Sequence, residues 1–169
     1  MLQLSENWQE WPIEAKLKML SRLQQRHCTS QPPTIAYREL HPRQAEFVDS
    51  PAKRKVIRAG RRGGKTVGMS QLALRAFAAG RRVLYATPTE DQIKRFWFEC
   101  KRGLQARLDA GLIYKNETEH VLEIAGTQNR IRAKTAWSAD TLRGDYCDLL
   151  ILDEWQLMAE DAWELVGAP

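Results

Sequence analysis

Apolar and polar positions along the chain predict helices and strands in alternation. Segments 82–86 and 149–152 are short apolar runs, which are typical of buried strands. Segments 66–79 and 88–108 repeat apolar residues at helical spacing, as do 13–23 and the shorter 42–49, where a proline occupies the first position. Strands and helices that follow one another in this way predict an α/β fold with a mostly parallel sheet flanked by helices.

Further strands are predicted around this pattern. Residues 54–59 are expected to form the first strand of the sheet, and 120–125 with 130–135 a β-hairpin around Gly126. The strand at 149–152 is expected to be buried on both faces. Thr87 is predicted as the N-cap of the long helix, Pro88 as its first residue and Glu90 as its capping-box acid.

A glycine-bearing loop lies between the predicted first strand and the helix 66–79. A loop that ends Gly-Lys-Thr and opens a helix is typical of a phosphate-binding P-loop, because inward-facing N–H groups and the helix N-terminus attract polyphosphate. Ala59 stands where the strict pattern has its first glycine, one place before Gly60. The loop predicts a nucleotide site that consists of Gly60, Arg61, Arg62, Gly63, Gly64, Lys65 and Thr66. In that site the lysine would reach the terminal phosphates and the threonine hydroxyl would hold Mg²⁺.

Two carboxylates follow the apolar run 149–152. Asp153 and Glu154 stand at the C-terminal end of a predicted strand, which is where ligands bind in open α/β sheets. Asp153 is expected to hold Mg²⁺, and Glu154 to orient and deprotonate an attacking water. The loop and the two acids together predict hydrolysis of a nucleoside triphosphate.

Gln44 lies ahead of the loop, on the predicted helix 42–49. Its amide offers both a donor and an acceptor, which could pair with the N6 and N7 edge of adenine. Tyr37 or Phe47 could stack on the base. The alternative for Gln44 is an ordinary solvated helix residue.

Composition agrees with a globular chain that binds a polyanion. The 169 residues carry a net charge of +5, and 43% of them are hydrophobic. The three cysteines have no metal-ligand spacing and suggest reduced thiols in a cytosolic compartment. We find no signal-peptide pattern and no apolar run near the roughly 20 residues of a membrane span. The basic face of the helix 88–108 is either solvated charge or a DNA contact.

These features in this order resemble the N-terminal ATPase domain of the large terminase subunit of tailed bacteriophages. The resemblance covers roughly residues 41–160, and its more specific parts are Ala59–Thr66 and the Leu-Arg-Gly of 142–144 followed by the Asp-Glu pair. It implies a P-loop NTPase fold of the ASCE type, with the β-hairpin as an insertion. It also implies a motor that uses ATP and Mg²⁺ to package double-stranded DNA into a procapsid.

The resemblance assigns roles to individual residues. It places adenine recognition at Gln44, metal binding at Thr66 and Asp153, and the general base at Glu154. Arg61 would stabilise charge on the departing phosphoryl group, with Arg62 as the alternative. Expected partners are double-stranded DNA, the portal, the small terminase subunit and further copies in a homo-oligomeric ring, with no membrane, in the host cytoplasm.

Two features of that family are missing, namely the coupling motif after the Asp-Glu strand and the nuclease domain. We therefore expect residues 1–36 to be an N-terminal helical segment with its linker, and 37–169 an ATPase domain that is incomplete at its C-terminus. The alternatives are a helicase-like, nucleic-acid-stimulated P-loop ATPase and a nucleotide-binding module without turnover.

Overall fold

The computed structural model describes residues 13–14, 33–60, 62–136, 142 and 144–158. The chain divides into two units, residues 1–33 and 34–169. In the first unit, Ile13 and Glu14 have helical backbone. The rest of the predicted helix 13–23 lies outside the described residues. The predicted boundary at residue 36 stays a prediction.

Three α-helices are described in the second unit: α1 (Pro42–Asp49), α2 (Lys65–Ala78) and α3 (Glu90–Asp109). The helix predicted over 42–49 is confirmed. It begins where a capping box satisfies the first turn: Arg43 N–H donates to the His41 ring, and His41 N–H donates to the Gln44 side chain.

Among the described residues, five strands form one mixed sheet, in the spatial order β2-β3-β4-β1-β5. They are β1 (Val83–Thr87), β2 (Tyr114–Asn116), β3 (Val121–Glu123), β4 (Arg130–Thr135) and β5 (Leu149–Leu152). β1 pairs in parallel with both β4 and β5, with Tyr85 opposite Ala133 and Ile151. β2, β3 and β4 pair antiparallel. The predicted α/β architecture is thus confirmed, although sequence patterning did not predict β2.

The main core lies between one face of the sheet and the helices α2 and α3. Alternate residues of β1 point into it, so that Val83 and Tyr85 are buried against helix residues such as Leu74, Phe77 and Phe96. Gly103 allows α3 to approach α2 closely, because a Cβ at this position would lie 2.5 Å from Leu74 Cδ1 of α2. These contacts bury this face of β1, which lies between β4 and β5 in the sheet.

The other face of the sheet is covered in part by the connection from β4 to β5. A smaller apolar cluster there includes Leu84 of β1 and Leu142 of the connection. Asp145 anchors the connection through ion pairs with Arg132 at 2.9 Å and Lys134 at 2.5 Å. The connection from β4 to β5 is therefore stabilised by both apolar and ionic contacts.

The prediction of a strand over residues 54–59 is wrong. That segment has no strand pairing, and its Val56 is 97% exposed. The Lys55 ammonium instead donates to the carbonyls of Phe47 and Val48, which ties the segment to the end of α1. A short apolar run is not sufficient for a strand when no neighbouring strand supplies hydrogen-bond partners.

Two finer predictions also need correction. The N-cap of α3 is Thr89, with Gln92 as the capping-box partner, and not Thr87 with Glu90. Thr87 is the last residue of β1 and is fully buried. In β5, only Ile151 is buried, because the strand lies at the edge of the described sheet and not in its interior.

Glu117 joins the β2–β3 turn to α3. Its carboxylate accepts from Trp97 Nε1 at 2.6 Å and from the Lys101 ammonium at 2.9 Å, and it also pairs with Lys115. The hydrogen bond from Trp97 and then that from Lys101 lower the pKa of Glu117 to about 2. The ionised form is thus favoured in the folded chain.

Acid is therefore expected to weaken this attachment. Because the folded pKa of Glu117 lies below its ordinary value of 4.5, its stabilisation is present above that value and is lost as pH falls toward 2. Thermal melts between pH 6 and pH 2.5 should show a midpoint difference between the native chain and Glu117→Gln that shrinks with acid. Glu39→Gln, at an exposed position, is the control. A difference independent of pH would contradict the prediction.

Candidate active site

The loop before α2 is held in its conformation by glycine. Gly63 N–H donates to Gly60 O at 3.2 Å, and Gly64 is the N-cap of α2 with a φ of 74°. That φ is left-handed, which glycine adopts without strain. A Cβ at Gly64 would also lie 2.1 Å from Gln44 Nε2. Arg62 has a positive φ of 64° without being glycine, so the loop also stores backbone strain.

Lys65 is the first residue of α2, and its ammonium lies over the loop. It donates to Ala59 O at 3.0 Å and is 3.4 Å from Glu154 Oε1. The lysine and glutamate side chains are 26% and 30% exposed. The structure therefore brings together the loop lysine and one of the two acids, which lie 89 residues apart in sequence.

Asp153 is buried directly beyond the end of β5. Its N–H donates to Ala86 O at 2.9 Å, which continues the parallel pairing with β1 by one residue. Its Oδ2 accepts from the Tyr85 hydroxyl at 2.8 Å, and its Oδ1 accepts from Glu154 N–H at 3.0 Å. Both carboxylate oxygens are thus fixed by donors of the protein.

Glu154 has an unusual backbone, with φ 51° and ψ 40°. This left-handed conformation costs free energy for a non-glycine residue, and such residues concentrate at functional sites. It turns the chain out of β5 into a 3-10 helix (Trp155–Leu157). Gln156 Nε2 donates to the second carboxylate oxygen of Glu154 at 2.6 Å. The turn places two adjacent acids in different surroundings, one buried and one beside Lys65.

Gln44 contacts the loop directly. Its Oε1 accepts from His41 N–H at 2.9 Å, and its Nε2 donates to Gly64 O at 2.9 Å. One amide hydrogen and one lone pair of the side chain are not used in these two bonds. The structure thus links α1 to the loop through Gln44, and the adenine role stays a prediction.

The other residues of the predicted site belong to the loop and to the start of α2. Thr66 is the second residue of α2 and is half-buried, whereas Gly60 and Arg62 are exposed. Arg61 lies outside the described residues, as does Arg143 of the Leu-Arg-Gly motif. The choice between Arg61 and Arg62 as the charge stabiliser therefore stays a prediction.

Sequence reasoning missed Tyr85 as a member of this site. Burial is the main cause of the raised pKa of Tyr85, and the charge of Asp153 raises it further, so the phenol is a neutral donor near pH 7. The feature that could have indicated Tyr85 is its position two residues before the end of β1, the strand that pairs with β5. A pattern of apolar residues classifies such a tyrosine as core.

The donors present suit magnesium when phosphates complete its coordination. Thr66 offers a hydroxyl and Asp153 a carboxylate, and Mg²⁺ in proteins is commonly held by one or two carboxylates together with substrate phosphates. No group of three or more His, Cys, Asp or Glu side chains with metal-binding geometry occurs among the described residues. Thr66 and Asp153 are thus the donors of this site that would suit Mg²⁺.

No protein-family model matches the chain, and no curated protein matches it. Among solved structures, the chain is similar to the large terminase ATPase domain of Thermus phage P74-26, with a TM-score of 0.64 and 23% identity over 75% of this chain. An arginine-to-alanine mutant of that domain matches at a TM-score of 0.64 and 22% identity.

This similarity shows the fold. The chain has the P-loop NTPase fold of that domain, as the sequence resemblance implied, and it spans 57% of the length of the solved chain. No described helix is long and apolar enough to cross a membrane.

Proposed function

We propose that this chain is the ATP-hydrolysing motor domain of a phage large terminase subunit, which powers the packaging of double-stranded DNA. The observation that carries the proposal is the 3.4 Å contact between the loop lysine and Glu154 at the end of β5. Hydrolysis at a P-loop needs a group that orients the attacking water, and this contact brings an acid to the lysine that would bind the phosphates. The similarity to a terminase ATPase domain supports this assignment.

In the proposed mechanism, the N–H groups around Gly63 and the Lys65 ammonium bind the phosphates of ATP. Lys65 exchanges its contacts with Ala59 O and Glu154 for phosphate oxygens, which neutralises their charge. The freed Glu154 carboxylate orients a water and accepts its proton at Oε1. Arg61 or Arg62 neutralises charge on the leaving group.

Thr66 and Asp153 would hold Mg²⁺. The ion would stabilise charge that develops between the β- and γ-phosphates. Asp153 suits this role because its carboxylate is already oriented by two donors. Its burial limits competition from bulk water.

The partners that we propose follow from charge and from the similarity. The net charge of +5 favours a polyanion such as double-stranded DNA. A portal, a small terminase subunit and a ring of copies of this chain in the host cytoplasm are proposed by analogy with terminases. A helicase-like ATPase is the second candidate, because the same loop and acid pair would serve it.

The test is phosphate release by the purified chain with Mg·ATP, measured with and without double-stranded DNA. The proposal predicts magnesium-dependent release of phosphate that DNA stimulates. Nucleotide binding without any release, with or without DNA, would favour a binding module. Stimulation by single-stranded but not double-stranded nucleic acid would favour the helicase-like alternative.

We also propose that the free donor and acceptor of Gln44 recognise adenine. Gln44→Ala should then weaken ATP binding more than GTP binding, by about fivefold for a hydrogen-bond contribution of about 1 kcal/mol. Affinities for fluorescent ATP and GTP analogues, with Gln105→Ala as a distant control, measure this difference. Equal losses for both nucleotides would limit Gln44 to the support of the loop through Gly64.

A further inference from the structure

Tyr85 differs from the other tyrosines of the chain. All four tyrosines lie among the described residues. Tyr85 is 0% exposed, whereas Tyr37, Tyr114 and Tyr146 are 49%, 56% and 78% exposed. A buried hydroxyl needs a hydrogen-bond partner, because desolvation without one is costly. The acceptor for this hydroxyl is the carboxylate of Asp153, at 2.8 Å.

The ring of Tyr85 is held rigidly. It stacks on Phe96 of α3 with a centroid distance of 3.8 Å and an interplanar angle of 4°. Phe96 is itself fully buried. Since the core fixes the phenol ring, it also fixes the direction from which the hydroxyl approaches Asp153.

The sheet register explains why a tyrosine stands at this position. Tyr85 is opposite Ile151 on β5, two residues before Asp153. Two strand residues span about 6.6 Å, which a phenol can bridge along the strand direction but a serine or threonine hydroxyl is too short to reach. The tyrosine thus connects the core of the fold to the carboxylate at the end of β5.

The geometry points to Tyr85 as a positioning residue for Asp153. The Tyr85 hydroxyl fixes the rotation of the Asp153 carboxylate, which holds the metal of Mg·ATP. The inference rests on the proposed function. With Tyr85 on Oδ2 and Glu154 N–H on Oδ1, each oxygen keeps a second lone pair in a fixed direction. Groups that orient a metal ligand in this way change metal affinity or activity by about 10- to 100-fold when they are removed.

Tyr85→Phe tests the inference, because it keeps the stacked ring and removes the hydroxyl. The measured quantity is the ratio of ADP dissociation constants in EDTA and in excess Mg²⁺, obtained with a fluorescent ADP analogue. We expect the variant to bind ADP in EDTA as the native chain does. The factor by which Mg²⁺ raises ADP affinity should be at least about tenfold smaller in the variant than in the native chain. Tyr146→Phe, at an exposed position, is the matched control and should keep the native ratio.

The outcomes separate this inference from the proposed function. If the ADP affinity of the native chain were the same with and without Mg²⁺, this result would overturn the proposed function and the inference with it. A magnesium-dependent native chain with an equal ratio in Tyr85→Phe would overturn only the positioning role. A variant that weakens ADP binding equally in EDTA and in Mg²⁺ would also overturn it, because a general packing defect acts on both.

A second measurement avoids a folding defect in the variant. The native chain can be labelled with 3-fluorotyrosine, and the three exposed tyrosines then serve as internal references for the buried one. Addition of Mg²⁺ to the ADP complex should shift the ¹⁹F resonance of Tyr85, because its acceptor oxygen belongs to the metal ligand. An unchanged Tyr85 resonance would contradict the inference.

Discussion

Replacing Lys65 with alanine is expected to reduce ATP hydrolysis by about 10²- to 10³-fold, the usual loss when one charge-stabilising donor is removed from a transition state. It should also weaken ATP binding by about 10- to 100-fold, since hydrogen bonds to charged groups contribute about 1.5–3 kcal/mol. The ammonium of Lys65 already lies at the start of α2 over the loop, where phosphate oxygens would replace Ala59 O as its acceptors. Phosphate release and a fluorescent ATP analogue measure the two effects.

The matched control for Lys65→Ala is Lys94→Ala. Lys94 is also an ion-paired helix lysine, but it pairs with Asp91 on the surface of α3 and its side chain is 69% exposed. This control should keep native binding and turnover, because exposed pairs of this kind contribute little to stability. Native turnover in Lys65→Ala would contradict the assignment of the loop as the phosphate site.

The predicted elements that the structure confirms have strong local signals. Pro42 and the capping box around His41 define the start of α1, and the apolar runs define β1 and β5. Gly126 marks the turn between β3 and β4. In each case the residues that determine the element lie within it or next to it, so a linear pattern contains the information.

The predictions that failed depend on distant partners. The residues 54–59 have a strand-like pattern, but strand formation requires a neighbouring strand to pair with. β2 consists of the exposed Tyr114 and Lys115 with Asn116, and it pairs with β3 across a turn whose Glu117 accepts a hydrogen bond from Trp97 of α3. Propensity alone predicts neither outcome.

The same distinction applies to the candidate site. The Gly-Lys-Thr loop and the Asp-Glu pair are visible in the sequence because each is contiguous. The contact from Tyr85 to Asp153 joins residues 68 positions apart, and that from Gln44 to Gly64 depends on how α1 packs beside α2. Supporting residues of this kind require the register of the sheet and the packing of the helices to be known.

Glu154→Gln is expected to separate nucleotide binding from hydrolysis. Removal of a general base costs about 10²- to 10⁴-fold in rate, so turnover should fall by that factor. Binding should stay at least as tight as in the native chain. The native carboxylate lies 3.4 Å from the Lys65 ammonium and competes with phosphate for it, whereas a neutral amide competes less. The variant should therefore accumulate bound ATP without releasing phosphate.

Glu119→Gln provides the control for this substitution. Glu119 is also paired with a cation, Arg132 at 3.1 Å, but it lies in the turn before β3. It should keep native turnover, which would show that loss of one glutamate ion pair does not itself slow the reaction. Filter binding with labelled ATP and single-turnover phosphate release measure both quantities. If Glu154→Gln released phosphate at the native rate, Glu154 would be a partner of Lys65 only, and another group would have to activate the water.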